Sequence, residues 1–278
     1  PRIQVEHPVT ELVTGVDLVE WQLRIAAGDS LELVDAPDTR GHAIEARVYA
    51  EEPSAGFRPA PGRLGAVVWP SGPGIRVDAG YASGDEVPHA YDAMLAKVIA
   101  HGPSRDAAIS TLREALIGTV VAGVPTNIAW LLDLLDSEAF RNGAMSTQTA
   151  SEVPPEAPDP GIAAIAALAA MLDAESSGDG SAWSRLGPWR LGDPAQVTLH
   201  GDDWERTLAP VRREDGWEIR DPESGAAARW SYGAEGVLEI ETDGEVVRAA
   251  VAERQDGVEV SARGGRWLVR RGPVPVLA

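Results

Sequence analysis

The first 150 residues mix helix-like and strand-like spacing of apolar side chains. A capping box beginning at Asp17 starts a predicted helix with apolar positions at Leu18, Trp21 and Ile25, which recur at helical intervals. Gly28 stands where the C-terminal cap of that helix is expected. This pattern predicts an amphipathic helix near the start of the chain.

Four further elements are predicted before residue 150. Residues 42–50 alternate apolar and polar side chains as a strand does, and residues 63–78 place two short apolar runs between Gly and Pro turns, which predicts a hairpin. Residues 104–116 read as a second amphipathic helix with Ser104 as its cap, and residues 127–135 as a third. The first half is therefore predicted to be mixed α and β.

The second half of the chain has a different pattern. Residues 151–161 are rich in Pro and disfavour both helix and sheet, which is typical of a linker. A short apolar helix at 162–172 precedes alternating strands that are separated by Asp215-Gly216, Asp243-Gly244, Asp256-Gly257 and Gly264-Gly265. These strands predict an antiparallel meander that closes into a barrel or a sandwich. Six of the nine tryptophans lie here, and we expect them to fill the core and rim of this domain.

The amino-acid composition excludes several classes of partner and of functional site. Forty-three acidic against twenty-four basic side chains give a net charge of −19, which argues against nucleic acid and anionic membranes as partners. Cysteine is absent, so disulfides, thiolate metal sites and a catalytic thiol are excluded. No apolar run approaches the ~20 residues of a spanning helix. We expect a cytoplasmic protein.

The opening residues carry the clearest candidate chemistry. An extended backbone would place Arg2, Gln4 and Glu6 on one face and Ile3 and Val5 on the other. A guanidinium, an amide and a carboxylate in line can hold a small planar anion and accept its proton. Spacing alone leaves the alternative of an ordinary solvated strand face.

A family resemblance favours the first interpretation. The run Arg-Ile-Gln-Val-Glu-His-Pro-Val-Thr-Glu at residues 2–11 resembles the active-site signature of biotin carboxylases in the ATP-grasp superfamily. The similarity continues through Gly-His-Ala-Ile-Glu-Ala-Arg at 41–47, Tyr-Asp-Ala-Met-Leu-Ala-Lys at 91–97 and Gly-Val-Pro-Thr-Asn at 123–127. It implies an α+β fold in which the C-terminal part of an ATP-grasp biotin carboxylase domain precedes a helix and a small antiparallel β-barrel. The implied domains are 1–148, a linker at 149–161, and 162–278.

The resemblance also implies residue roles. Glu6 would be the base that deprotonates bicarbonate, which then attacks the γ-phosphate of ATP to give carboxyphosphate. Arg2, Gln4 and the Val5 backbone would hold bicarbonate, and Arg47 would stabilise the biotin enolate. From the residues alone, Arg47 could instead be a strand arginine paired with a neighbouring carboxylate. We expect Lys97, the single lysine, to be structural, with a packed stem and a paired head group.

The implied cofactors are ATP, Mg²⁺ and biotin on a carrier domain that the chain does not contain. In the family, the magnesium ligands, the phosphate loop and the nucleotide-clamping lysines precede the position of Pro1. We therefore expect no metal site here, and we expect this chain to be an inactive fragment of a longer enzyme.

The second half resembles the α subunit of acyl-CoA carboxylases of the 3-methylcrotonyl-CoA and propionyl-CoA type, mainly through the run from Gly187 to Gly192 and the meander. That resemblance implies docking onto a carboxyltransferase β subunit, delivery by a biotin carboxyl carrier domain, and a homo-oligomeric holoenzyme. Two alternatives remain: a non-catalytic assembly module, and a different ATP-grasp ligase.

Overall fold

The structure is a computed structural model that describes residues 2–31, 35–156, 158–176, 195–214 and 216–272. The strands of its first half are β1 (His42–Tyr49), β2 (Glu51–Glu52), β3 (Arg58–Pro59), β4 (Gly62–Arg63), β5 (Val67–Val68), β6 (Ile75–Ala79), β7 (Glu86–Val87), β8 (Met94–Gly102) and β9 (Val120–Val121). Three of them form an antiparallel sheet in the order β1-β8-β6, with β8 in the centre. The others form three two-stranded pairs, β2-β3, β4-β7 and β5-β9.

Six helices accompany these strands. They are α1 (His7–Thr14), α2 (Leu18–Ala27), α3 (Arg105–Ile117), α4 (Ile128–Asp136), α5 (Glu138–Arg141) and α6 (Thr149–Glu152). Helices α3 and α4 pack against the apolar face of the sheet, where Leu112, Leu116 and Ile128 are buried. Helix α1 contacts β1 and β8, so it brings the opening segment onto the sheet.

The capping residues that the sequence predicted are confirmed. Asp17 accepts a hydrogen bond from the Glu20 N–H at 2.7 Å, and Gly28 ends α2 with φ of 102°. Ser104 accepts from the Ala107 N–H at 3.2 Å and begins α3. No residue of α2 is buried, and Ile25 on its predicted apolar face is 51% exposed.

The predicted hairpin at 63–78 is wrong. Its two apolar runs form β5 and β6, but β5 pairs with β9 and β6 pairs with β8. The sequence analysis did not identify β8, whose nearly continuous apolar run is typical of a strand buried on both faces. β6 pairs with the buried central strand β8 over five residues, from Ile75 to Ala79. Pairing with the two-residue strand β5 would give fewer backbone hydrogen bonds.

The second half is a closed eight-stranded antiparallel barrel, which confirms the barrel and excludes the sandwich. Each strand pairs with the next along the chain, and the last closes on the first through Leu199 opposite Arg271. The strands are β10 (Val197–His200), β11 (Glu205–Arg213), β12 (Gly216–Arg220), β13 (Ala227–Tyr232), β14 (Leu238–Thr242), β15 (Glu245–Arg254), β16 (Gly257–Ala262) and β17 (Gly265–Arg271).

A helix occupies the interior of this barrel. Helix α7 (Gly161–Ser176) is buried on every side between residues 163 and 169, and it contacts β10, β11, β12, β15, β16 and β17. Its many alanines allow the strands to approach closely. Four tryptophans of this half are described, Trp204, Trp217, Trp230 and Trp267; they are partly buried and pack against the core, which agrees with the predicted place at the core and rim.

Of the three predicted turns whose residues are all described, the one at Asp243-Gly244 stands where the sequence placed it, and the other two lie one residue earlier. Asp243 and Gly244 connect β14 to β15 with φ of 51° and 79°. Gly257 and Gly265 begin strands directly after two-residue connections at 255–256 and 263–264. A Cβ at Gly257 would lie 2.4 Å from the Val269 carbonyl oxygen, and one at Gly265 would overlap the Trp267 ring. These two glycines allow close approach rather than a turn. Asp215 lies outside the described residues.

The two halves of the chain are in contact. Val120 and Ala122 pack against Val237 and Ala250 of the barrel half in a small shared cluster. The predicted linker begins with α6, and further along it Asp159 lies 3.3 Å from the Arg206 guanidinium. The segment between the halves is therefore anchored to the barrel. None of the helices in the described part of the chain is long and apolar enough to cross a membrane.

A buried carboxylate on the barrel makes its stability depend on pH. Hydrogen bonds from Arg213 at 2.6 Å and Arg220 at 2.9 Å lower the pKa of Glu218 from 4.5 to about 2. The stabilisation from Glu218 is therefore complete above about pH 4.5 and disappears as the pH falls through about 2. With solvent screening we expect it to be about 1–2 kcal/mol.

Urea unfolding of the wild type and of Glu218→Gln at pH 7 and near pH 2.5 measures this effect. The variant is expected to be less stable than the wild type at pH 7, and this difference should become much smaller near pH 2.5. Glu241→Gln, at an exposed position of β14, is the matched control and should show a small difference at both pH values. If Glu218→Gln lowered the free energy of unfolding equally at both pH values, the pH dependence ascribed to Glu218 would be contradicted.

Candidate functional site

The opening segment turns into a helix instead of continuing as a strand. Val5 and Glu6 form a turn, and His7 begins α1. The backbone N–H of His7 donates to the Gln4 carbonyl at 3.2 Å, and the His7 ring nitrogen Nδ1 lies 2.7 Å from the same oxygen. Pro8 at the start of α1 favours the helix because it needs no N–H partner there. The predicted extended backbone is therefore wrong at Val5 and Glu6.

The predicted alternation of side chains nevertheless holds. Arg2, Gln4 and Glu6 are exposed, whereas Ile3 and Val5 are half-buried. The three polar side chains line one cavity of about 330 Å³, together with Ile3, His7, Thr10, Leu18 and Gln22. The structure thus brings a guanidinium, an amide and a carboxylate to one cavity at the N-terminal end of α1.

Arg47 reaches the same carboxylate from the sheet. It lies on β1, and its Nη2 donates to Glu6 Oε2 at 2.8 Å across 41 residues of sequence. Glu6 and Arg47 line a second cavity of about 370 Å³, together with Val9, His42, Ala43, Ile44, Glu45, Arg105, Phe140 and Met145. Arg2 and Arg47 line different cavities, and Glu6 is common to both.

Lys97 holds the turn that carries Glu6. Its ammonium lies 2.9 Å from Asp78 Oδ2 and donates to the Val5 carbonyl at 3.4 Å, while its side chain is 11% exposed. Burial alone would raise the pKa of Asp78, but hydrogen bonds from Arg76 and Lys97 hold it below its usual value. The paired head group and packed stem that the sequence predicted for Lys97 are confirmed.

A charged side chain of the same sheet also holds helices α1 and α2 in place. Arg76 Nη1 donates to Glu11 Oε2 at 2.6 Å, and Glu11 Oε1 accepts from the Leu18 N–H at 2.7 Å. One carboxylate therefore links β6, α1 and the start of α2. This contact limits how far the opening segment can move relative to β1.

Asn127 was predicted only as the start of a helix, but it also supports Arg47. Its side chain does not cap α4; instead Oδ1 accepts from the Tyr49 N–H at 2.9 Å, and Nδ2 donates to the Arg47 carbonyl at 3.1 Å. Asn127 is buried. The Asn127 amide thus bonds to the backbone on either side of Val48. It fixes β1 at the point from which the Arg47 side chain extends.

Glu45 is a site residue that the sequence analysis missed as such. Its Oε1 lies 3.6 Å from Arg47 Nε, and its side chain is 5% exposed. Its Oε2 is buried and has no hydrogen-bond partner among the described residues. Burial raises the pKa of Glu45, although the nearby charges of Lys97 and Arg47 oppose this. The signal in the sequence was its position two residues before Arg47, on the same face of a strand.

The described residues include no group of three or more His, Asp or Glu side chains that could hold a metal ion. The Gly187 to Gly192 run lies outside the described residues.

Three family descriptions match successive parts of the chain. Residues 1–34 match the ATP binding domain of the carbamoyl-phosphate synthase L chain, residues 45–152 the biotin carboxylase C-terminal domain, and residues 158–274 the BT domain of the methylcrotonyl-CoA carboxylase alpha-subunit. The first two matches lie in the first half of the chain, and the third covers the barrel half.

Curated relatives match about half of the chain. A biotin carboxylase of Nostoc sp. is 44% identical over 153 residues, which are 55% of this chain and 34% of that protein. The mitochondrial methylcrotonoyl-CoA carboxylase subunit alpha of Oryza sativa is 46% identical over 148 residues, which are 52% of this chain and 20% of that protein. The aligned part is thus about a third or less of the length of these relatives.

A solved structure has the same fold in this part. The biotin carboxylase domain dimer of Hydrogenobacter thermophilus 2-oxoglutarate carboxylase, in complex with MgADP, ADP and bicarbonate, superposes with a TM-score of 0.55 at 40% identity. The match covers 56% of this chain and 36% of that one. Residues 45–152 of this chain are therefore similar to the biotin carboxylase C-terminal domain, and residues 158–274 to the BT domain of the methylcrotonyl-CoA carboxylase alpha-subunit.

Proposed function

We propose that this chain is part of the α chain of a biotin-dependent acyl-CoA carboxylase. Its first half would contribute to the ATP-dependent carboxylation of carrier-bound biotin by bicarbonate. The observation that carries the proposal is the 2.8 Å pair between Glu6 and Arg47, which joins the opening segment to β1 beside two cavities. The proposed domains are 1–148, the linker 149–161, and 162–278.

Each proposed role follows from the chemistry of the side chain. Arg2 and Gln4 hold bicarbonate through forked N–H donors and an amide, and the Val5 backbone, held in place by Lys97, completes the cradle. Glu6, which is 57% exposed and therefore accessible, accepts the bicarbonate proton. Arg47 stabilises the negative oxygen that develops on the ureido ring.

The second half of the chain supports a more specific type of carboxylase. Its match to the BT domain of a methylcrotonyl-CoA carboxylase alpha-subunit favours an acyl-CoA carboxylase of the 3-methylcrotonyl-CoA or propionyl-CoA type. The barrel would dock onto a carboxyltransferase β subunit, while a biotin carboxyl carrier domain delivers biotin. A homo-oligomeric holoenzyme is supported by the dimer of the Hydrogenobacter domain.

Purification of the complete α chain tests this proposal. With ATP, Mg²⁺, bicarbonate and free biotin, we expect phosphate release that depends on bicarbonate and incorporation of labelled bicarbonate into biotin. The 278-residue chain by itself is expected to release no phosphate. Phosphate release by the complete chain without any dependence on bicarbonate would contradict the proposal.

A non-catalytic assembly module is the second candidate. It is favoured by the barrel, which has a hydrophobic core of its own around α7. Under this alternative the complete chain binds a carboxyltransferase β subunit but fails to carboxylate biotin. The same assay, combined with a binding measurement to that subunit, separates the two candidates.

A further inference from the structure

Two carboxylates share one guanidinium at the proposed site. Arg47 Nη2 lies 2.8 Å from Glu6 Oε2, and Arg47 Nε lies 3.6 Å from Glu45 Oε1. The two carboxylates differ in their surroundings, since the side chain of Glu6 is 57% exposed and that of Glu45 is 5% exposed. Glu6 can therefore exchange a proton with a ligand, whereas Glu45 is shielded from solvent.

This difference becomes important once Glu6 has taken a proton. A neutral carboxyl attracts a guanidinium far less than a carboxylate does, so Arg47 then loses its shortest ion pair. Arg47 would be free to leave the cavity unless another negative charge held it. Long side chains without a fixed partner regain rotamer freedom, which favours their release.

Glu45 is placed to be that second partner. It projects from the same face of β1 as Arg47, two residues away, and it lines the cavity that Glu6 and Arg47 share. Lys97 is also close to Glu45, but its ammonium is paired with Asp78 at 2.9 Å. Arg47 is therefore the cation that depends on Glu45.

We propose that Glu45 is a positioning residue that retains Arg47 at the cavity after Glu6 has accepted a proton. The inference rests on the proton-accepting role proposed for Glu6. Glu6 would hold Arg47 before the proton transfer, and Glu45 would hold it afterwards. The guanidinium would then still be in place when negative charge develops on the oxygen of the ureido ring. The charged groups around Glu45 are Arg47, Lys97 and Glu6. Burial raises the pKa of Glu45, whereas the charges of Lys97 and Arg47 lower it, so pairing with the Arg47 guanidinium favours the carboxylate form.

The 278-residue chain allows a test that needs neither ATP nor biotin. Glu6→Gln imitates the protonated form of Glu6, and NMR of the Arg47 Nε–H group reports whether the guanidinium remains held. We expect slow exchange of this N–H with water in Glu6→Gln and at least about tenfold faster exchange in Glu6→Gln/Glu45→Gln. Glu6→Gln/Glu20→Gln is the matched control and should behave as Glu6→Gln does. Equal exchange rates with and without Glu45 would overturn the proposal.

A second measurement remains informative if the double variant does not fold. The charge of Glu6 raises the pKa of Glu45, so the titration midpoint of the Glu45 carboxyl carbon should be lower in Glu6→Gln than in the wild type. An unchanged midpoint would overturn the coupling. Neither readout involves catalysis, so a failure here is distinguishable from a failure of the proposed carboxylase function.

Discussion

Replacing Glu6 with glutamine in the complete α chain is expected to lower bicarbonate-dependent ATP hydrolysis by about 10²–10⁴-fold, the usual contribution of a general base. Glutamine keeps the size of the side chain and can still accept a hydrogen bond from Arg47. It cannot take a proton from bicarbonate, so carbonate is not formed for attack on the γ-phosphate. Phosphate release with and without bicarbonate measures the effect.

The control for this variant lies in the adjacent helix. Glu20 is on α2, and its side chain is 59% exposed and lies 3.6 Å from Arg24, away from both cavities. Glu20→Gln should keep the wild-type rate. Bicarbonate-dependent turnover near the wild-type level in Glu6→Gln would remove Glu6 from the role of base.

The second large effect is expected for Arg47→Ala. Loss of one positioned donor to a developing oxyanion costs about 10²–10³-fold in rate, and we expect carboxylation of biotin to fall by this amount. ATP cleavage in the presence of bicarbonate should fall less, because Glu6 and the Arg2 side of the site remain. The ratio of carboxybiotin formed to phosphate released should therefore decrease.

Measuring both products in the same reaction gives this ratio directly. Arg58→Ala, at an exposed position of β3, is the matched control and should leave the ratio unchanged. Equal losses of carboxybiotin and phosphate in Arg47→Ala would mean that the guanidinium has no specific role toward biotin. Its contribution would then be limited to holding Glu6.

The local elements of the fold could be read from the sequence. Asp17, Ser104 and Gly28 stand at helix ends because their side chains or backbone satisfy groups within three or four residues. The barrel strands were likewise visible as alternating segments. Such contacts depend on neighbours along the chain, so the sequence contains the information directly.

Strand pairing and glycine roles could not be read in this way. Val67 pairs with Val121, and Ile75 pairs with Ala100, although the two runs seemed close enough to pair with each other. Gly257 and Gly265 look like turn residues, yet they are needed because Val269 and Trp267 lie against them. These outcomes depend on residues distant in sequence, which local spacing does not reveal.

For the site, the sequence by itself determined which side chains are present and that Arg2, Gln4 and Glu6 alternate with Ile3 and Val5. Only the tertiary structure decided which of them meet. The sheet carries Arg47 across 41 residues to Glu6, and the burial of Glu45 beside it follows from the packing of α1 against β1 and β8. The physical reason is that an ion pair requires two groups within a few ångströms, and the folded chain sets that distance.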